Sequence, residues 1–473
     1  MSKPSSTGTS EEPTNSGAIV QLLIVTAIIG IITTIFNYFM QKKKGKSKQK
    51  TESEEVLVDG ENLSLDTKAV KTPPKKSAAK KSKSATAAKV GVLKFSHPDH
   101  AGTLKGHTSQ VTDISFSSNG KYMASISADD RNVILWSTKE LGADATRNMV
   151  RGKVDLDNPV SVDFSPDCKA LALGLELTNS VKIMKIAKKE GTSTVTLTEG
   201  MEFPQVLDLD ILTCAISPSG TYIMIADNKN SVYILDLKGI VLGKIDAKVG
   251  GDIHHCVVSP CGRFVAFCGY NPEMPIYEVE FSSTNVFRGL NRVMILKGHT
   301  NAITYFAFSL DAVSAATVSR DKTWRVSSID VRYKDKEDPQ FIASGDTGFD
   351  QGTDLKCLLS CNGKMIGIYS ETEIKLKSVV TDETYVTYSD FGTGLAIRKC
   401  LTDNSSKHLL VCIGKYMVAI QVKYHIMSTI EWLKREVQKP NTASLKSRIQ
   451  QQLDDEIKKL EAWEAKENPE NEK

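Results

Sequence analysis

The residues of this 473-residue chain that come nearest to a chemical site are His254, His255, Cys256 and Cys261. Imidazole and thiolate are the donors zinc prefers. Three of the four fall in Ile253-His254-His255-Cys256-Val257-Val258, a run that reads as a strand, and neighbouring strand residues point to opposite faces. They therefore do not converge, and no metal is assigned. The nine cysteines, at 168, 214, 256, 261, 268, 357, 361, 400 and 412, are odd in number and include no Cys-x-x-Cys pair. Most lie within or beside apolar runs, where a free Cys behaves as a small hydrophobe. That usage fits a reducing compartment. The sequence contains no GxxxxGK followed by Ser or Thr, no GxGxxG opening a helix, no GxSxG and no HExxH. Its acidic residues are scattered in turns. The chain thus offers no catalytic constellation and calls for no cofactor, so it is expected not to be an enzyme.

The elements that carry these residues are organised around Leu104–Trp136. Val111–Phe116, Lys121–Ile126 and Asn132–Trp136 alternate apolar and polar residues, the period of antiparallel strands. Ser118-Asn119-Gly120 and Ala128-Asp129-Asp130-Arg131 supply the turns between them. One such sheet cannot bury both faces, so it must stack on copies of itself. The turn after the first strand marks those copies. Its leading serine recurs at 117, 165, 217, 259, 309 and 360, and a degraded marker follows at Thr402-Asp403-Asn404-Ser405. The steps of 48, 52, 42, 50 and 51 residues are near the length of a four-stranded propeller blade, roughly 40–45 residues. Seven blades are counted, with six and eight as the neighbouring alternatives. The last repeat, Leu395–Leu401, Lys407–Ile413 and Tyr416–Val422, lacks a fourth strand. Ala101–Leu104, ahead of the first repeat, can complete it and close the ring.

On Gly106-His107, Trp136 and this period, the chain resembles the WD40 β-propeller family. The resemblance implies that a His, a Ser or Thr, an Asp and a Trp hydrogen-bond across a blade. By position these are His107, Ser127 (taken over Ser125), Asp130 and Trp136 in one blade. In a second blade they are His299, Ser319 and Asp321, with Ser327 where the Trp should stand. Their implied role is structural. The fold expected is therefore all-β, a seven-bladed WD40 propeller over residues 90–422, preceded by a transmembrane helix and followed by a short α-helical tail.

Residues 18–40, AIVQLLIVTAIIGIITTIFNYFM, hold no charge over 23 positions. As a helix rising about 1.5 Å per residue they span a hydrocarbon core of ~30 Å. The run is too long for a signal peptide and has no clear cleavage site, so a retained anchor is expected. Lys42, Lys43, Lys44, Lys46, Lys48 and Lys50 follow it, against Lys3, Glu11 and Glu12 before it. The positive-inside rule places residues 1–17 in the lumen and the propeller in the cytosol. Residues 41–89 form a lysine-rich tether with few large apolar side chains, suited to weak attraction to anionic lipid or RNA.

After Val422 the period becomes helical. Ile426, Ile430, Leu433 and Val437 form one stripe, and Leu445, Ile449, Leu453, Ile457, Leu460 and Trp463 form a second after Pro440. This tail, 423–473, is expected to pack on the ring, to self-associate or to bind a partner. Anchor, tether, ring and helical tail together are similar to an endoplasmic-reticulum-anchored member of the WD40 family. That resemblance implies a scaffold on the cytosolic face of the endoplasmic reticulum (ER). It also implies a part in the unfolded protein response through the ER-resident kinase that phosphorylates a translation initiation factor, and contact with translated mRNA. The alternative functions are guanine-nucleotide exchange on a small ER GTPase and membrane-bound hydrolysis.

Overall fold

A computed structural model describes residues 91–141, 149–188, 195–203, 210–350, 352–439 and 443–467. Seven four-stranded antiparallel sheets follow one another along the chain. Blade 1 comprises Asp113–Phe116, Tyr122–Ser127, Asn132–Ser137 and Met149–Lys153. Blades 2 to 6 repeat this plan, starting from inner strands Pro159–Phe164, Ile211–Ile216, His255–Val258, Ile303–Phe308 and Lys356–Leu359. Blade 7 takes Ile397–Thr402, His408–Ile413 and Tyr416–Gln421 from the end of the repeat region and its outer strand, His100–Lys105, from the beginning. The expected closure is therefore found, with Leu104 paired to Met417. The core lies between blades: Ile126, Val133 and Leu135 of blade 1 pack with Val162, Leu171 and Leu173 of blade 2. Strands in such a sandwich have two covered faces, which explains second strands such as Ile223–Asp227 and Met365–Tyr369, buried at every position.

The recurring turn works through its first side chain. Ser117 Oγ accepts from Tyr122 N at 2.9 Å, and Ser165, Ser259, Ser309 and Ser360 make the same bond to the residue five further on. In blade 7 the residue in this place is Asp403, which accepts from His408 N at 3.1 Å. The fourth turn position adopts φ between 53° and 72° in every blade. It is Gly120, Gly220, Gly262 or Gly363 in four blades, and Cys168, Ala312 or Ser406 in the other three. A type I turn ending in a left-handed residue has this form, and glycine adopts it at least cost.

Val92–Leu93 pairs with Gly392–Thr393, in the crossover from blade 6 to blade 7. Strand direction puts this crossover on the same face as Gly106-His107, called here the mouth face. Phe95 stacks on Phe391 with centroids 4.7 Å apart. Asp99 accepts from the Tyr388 hydroxyl at 2.8 Å and the Tyr424 hydroxyl at 3.4 Å. One carboxylate thus joins the incoming chain, blade 6 and the tail.

The tail is two helices, Tyr424–Gln438 and Ala443–Glu467. The first lies against the turn face of blade 6. Asn362 donates to Thr429 Oγ1 at 2.7 Å, Ser378 donates to Glu431 at 2.6 Å, and Lys364 stands 4.3 Å from the centre of the Trp432 ring. The second helix packs on the first through Leu453, Ile449, Ile457, Leu460 and Trp463.

Candidate functional site

The hydrogen-bond set of blade 1 can be built from donor capacity alone. Asp130 sits in the turn between the second and third strands, and its carboxylate can only accept. His107 lies 3.1 Å from it through Nδ1, so Nδ1 carries the proton. Burial, opposed by Asp130, lowers the His107 pKa, so the ring is neutral and Nε2 must accept. The donor to Nε2 is the Ser125 hydroxyl at 2.8 Å. Its oxygen accepts in turn from the Trp136 indole N–H at 2.8 Å. Asp130 also takes the backbone N–H groups of Thr108 and Asn132, each at 2.9 Å, and its pKa is lowered, these bonds outweighing burial. Gly106 is needed beside this set because a Cβ there would stand 2.7 Å from the indole.

Ser127, the expected member, is not in the set. Its side chain is buried and its hydroxyl has no hydrogen-bond partner among the described residues. Ser125 and Ser127 share a face, so alternation cannot separate them; depth does. Trp136 pairs with Met123, and its indole reaches one rung further, to Ser125. Ser127 is opposite Asn132 at the strand end.

Blade 5 repeats the shift. His299 Nδ1 meets Asp321 at 3.0 Å, and Nε2 accepts from the Thr317 hydroxyl at 2.8 Å. Ser319 instead donates to the Asn301 carbonyl at 3.0 Å. Asp321 also accepts from Thr300 N and from both donors of Thr323, and its pKa falls to about 2 because these bonds outweigh its burial. Ser327 pairs with Ala315, as Trp136 pairs with Met123. The place of the missing indole beside Gly298 is filled by the Arg325 guanidinium, 2.4 Å from where a Cβ would stand.

The inner strands line a central channel whose mouth is a cavity of about 420 Å³. Side chains here stitch neighbouring blades together, which the sequence reading missed. Asp113 accepts from Val162 N at 3.0 Å and pairs with Lys399, so it links blades 1, 2 and 7. Asp163 accepts from Ser115 Oγ at 3.0 Å and Ile216 N at 2.9 Å, linking blades 1, 2 and 3. Burial raises the Asp163 pKa to about 6. His254 bonds the Ile303 carbonyl at 3.1 Å, while His255 stacks on Tyr305 with centroids 3.8 Å apart. Cys261 is exposed in the turn at the far end of the strand, so the four candidate metal donors are not brought together. All nine cysteines are free thiols and seven are buried, as the apolar runs around them require.

The anchor 18–40, its lysine flank Lys42–Lys50 and the tether 41–89 lie outside the described residues. Among the described residues no helix is long and apolar enough to cross a membrane.

The family model described as WD domain, G-beta repeat matches residues 99–137 and 290–326. Each match holds the outer strand of one blade and the first three strands of the next, so the sequence repeat is offset from the blade by one strand. Mouse transducin beta-like protein 2 is 33% identical over 386 residues, covering 80% of this chain and 86% of that protein. Human transducin beta-like protein 2 is 33% identical over 363 residues, covering 76% and 80%. Relation over this length, on a closed ring of seven blades with a helical tail, places the chain in the transducin beta-like protein 2 family of WD40 propellers.

Proposed function

We propose that the chain is a non-catalytic scaffold, anchored in the ER membrane by residues 18–40, whose propeller gathers protein partners in the cytosol. The observation that carries the binding role is how the polar groups are spent. Both ring nitrogens of His107 and of His299 bond within their own blades, and Asp113 and Asp163 hold neighbouring blades together. These groups make the ring rigid, and the loops of its two faces are left to meet other molecules. A membrane tether raises the concentration of partners around such a platform. The six lysines from Lys42 to Lys50 support the cytosolic orientation. The family relation supports partners in the unfolded protein response, the ER-resident initiation-factor kinase among them, with translated mRNA as a further contact.

Proximity labelling from the propeller of the full chain in cells tests this reading. Labelled ER-membrane and cytosolic proteins, the kinase included, are expected. Labelling confined to lumenal proteins would contradict it, and faster nucleotide release from a small ER GTPase would favour the exchange-factor alternative.

A further inference from the structure

Eight buried side-chain atoms lack a hydrogen-bond partner among the described residues, and three of them are oxygens of a single turn. They are Asp227 Oδ2, Asn228 Oδ1 and Asn230 Oδ1, between the second and third strands of blade 3. Asp227 is 0% exposed. Its Oδ1 accepts from the backbone N–H groups of Lys229, Asn230 and Ser231 at 2.9, 2.8 and 2.9 Å. These bonds wrap the turn around the carboxylate and leave Oδ2 without a donor. The Asn228 amide is fixed in direction because its Nδ2 donates to Asp210 at 3.1 Å, so its oxygen is the atom left over. Blades 1 and 5 show what is missing. There the turn acid meets an imidazole N–H, from His107 or His299. The stretch leading into blade 3, residues 203–210, reads FPQVLDLD and holds no His, Lys or Arg. Lys244, in the outer strand, stands over the Tyr233 ring, 5.0 Å from its centre, and does not bond to Oδ2. A buried carboxylate with no counter-charge costs stability unless a cation completes the site.

We propose that Asp227, Asn228 and Asn230 bind a calcium ion in this turn. Carboxylate and side-chain amide oxygens are the donors that hard cations take, and calcium accepts them in irregular geometry. Backbone carbonyls and water complete its roughly six to eight ligands. Magnesium demands a near-ideal octahedron and keeps several of its waters, which suits a buried turn less well. The three side chains offer neither nitrogen nor sulfur ligands, which disfavours zinc and copper. A single carboxylate sets the affinity at the weak end of the calcium range, about 10⁻⁴–10⁻³ M. In blade 3 the ion supplies the positive partner that a polarised histidine N–H supplies in blades 1 and 5.

The test uses the purified full chain, stripped with a chelator and returned to metal-free buffer. Titration calorimetry and thermal melts follow the addition of calcium chloride or magnesium chloride to wild type and to Asp227→Asn. Asparagine keeps the size of the side chain and the Oδ1 acceptor while removing the charge. Calcium should bind wild type and raise its melting temperature. Asp227→Asn should weaken that binding at least about tenfold and abolish the rise. If Asp227→Asn does not fold, Asn230→Ala reads the same loss at a side chain whose oxygen bonds to nothing among the described residues. The proposal is overturned by no calcium binding, by calcium binding and a melting rise that survive the substitution, or by tighter binding of magnesium than of calcium.

Discussion

Removing the hydroxyl of Ser125 strands two buried groups, His107 Nε2 and the Trp136 indole N–H. Ser125→Ala is therefore expected to cost about 1–3 kcal/mol. Ser127→Ala, two residues along the same strand, removes a buried hydroxyl with no hydrogen-bond partner among the described residues and should stay within about 0.5 kcal/mol of wild type or gain stability. Denaturant melts of the two variants check this, and equal losses would contradict the assignment. Asp163 provides a pH signature. Its folded pKa of about 6 lies above the ordinary carboxylate value, so from roughly pH 4 to 6 the folded state holds the extra proton. Stability from this group is thus full at low pH and is lost as pH rises through 6. The melting temperature of wild type relative to Asp163→Asn should increase on going from pH 7 to pH 5, and a constant difference would argue against it. At this scale alternation revealed which face a serine occupies but not how deep it lies. The acids that look scattered along the chain find their partners in a neighbouring blade, Val162 being 49 residues from Asp113. No local pattern could report that.

The blade turn is the element whose repetition made the fold legible, and its fourth residue sets a conformational demand. Ala312 meets that demand at φ 57° with a Cβ in place. Ala312→Gly should raise stability by up to about 1 kcal/mol, less the extra freedom of glycine in the unfolded chain. A lower melting temperature would show that the turn is not strained. The seventh marker was hard to read because Asp403 replaces serine while keeping its bonds. For the tail, periodicity found both helices but left open what they cover. The structure answers through Asn362, Ser378 and Lys364, turn-face residues whose role shows only in three dimensions. The second helix is held by the first, with Leu453 buried between them. Changing Leu453 and Leu460 to Lys should release the second helix, seen as lost helical circular dichroism and faster proteolysis near residue 440. The melt of the ring should move little. A helix signal that survives the double change would place its stabilising contacts elsewhere.

Within the described residues the seven blades form a ring closed by His100–Lys105, entered on the mouth face and left on the opposite one. Closure was readable because the last repeat was short by one strand and an unassigned strand stood before the first. Blade-to-blade packing spreads the core over all seven sheets, so two well-formed GH blades could disclose the architecture while five others carry neither GH nor the terminal Trp. In the proposed topology the side of the membrane on which this ring works follows from the charge asymmetry around residues 18–40. Asn404, in an Asn-Ser-Ser sequon, donates to the carbonyls of Ser117 and Ser118, both at 3.1 Å, across the seam between blades 7 and 1. A glycan on that nitrogen would break the seam, whereas a cytosolic ring would never meet the transferase. The most direct measurement is protease treatment of intact microsomes bearing the full chain. The account predicts that the propeller is digested without detergent and that an endoglycosidase causes no mobility shift. A protected propeller, glycosylated at Asn404 or at Asn62 of the second sequon, Asn62-Leu63-Ser64, would contradict it.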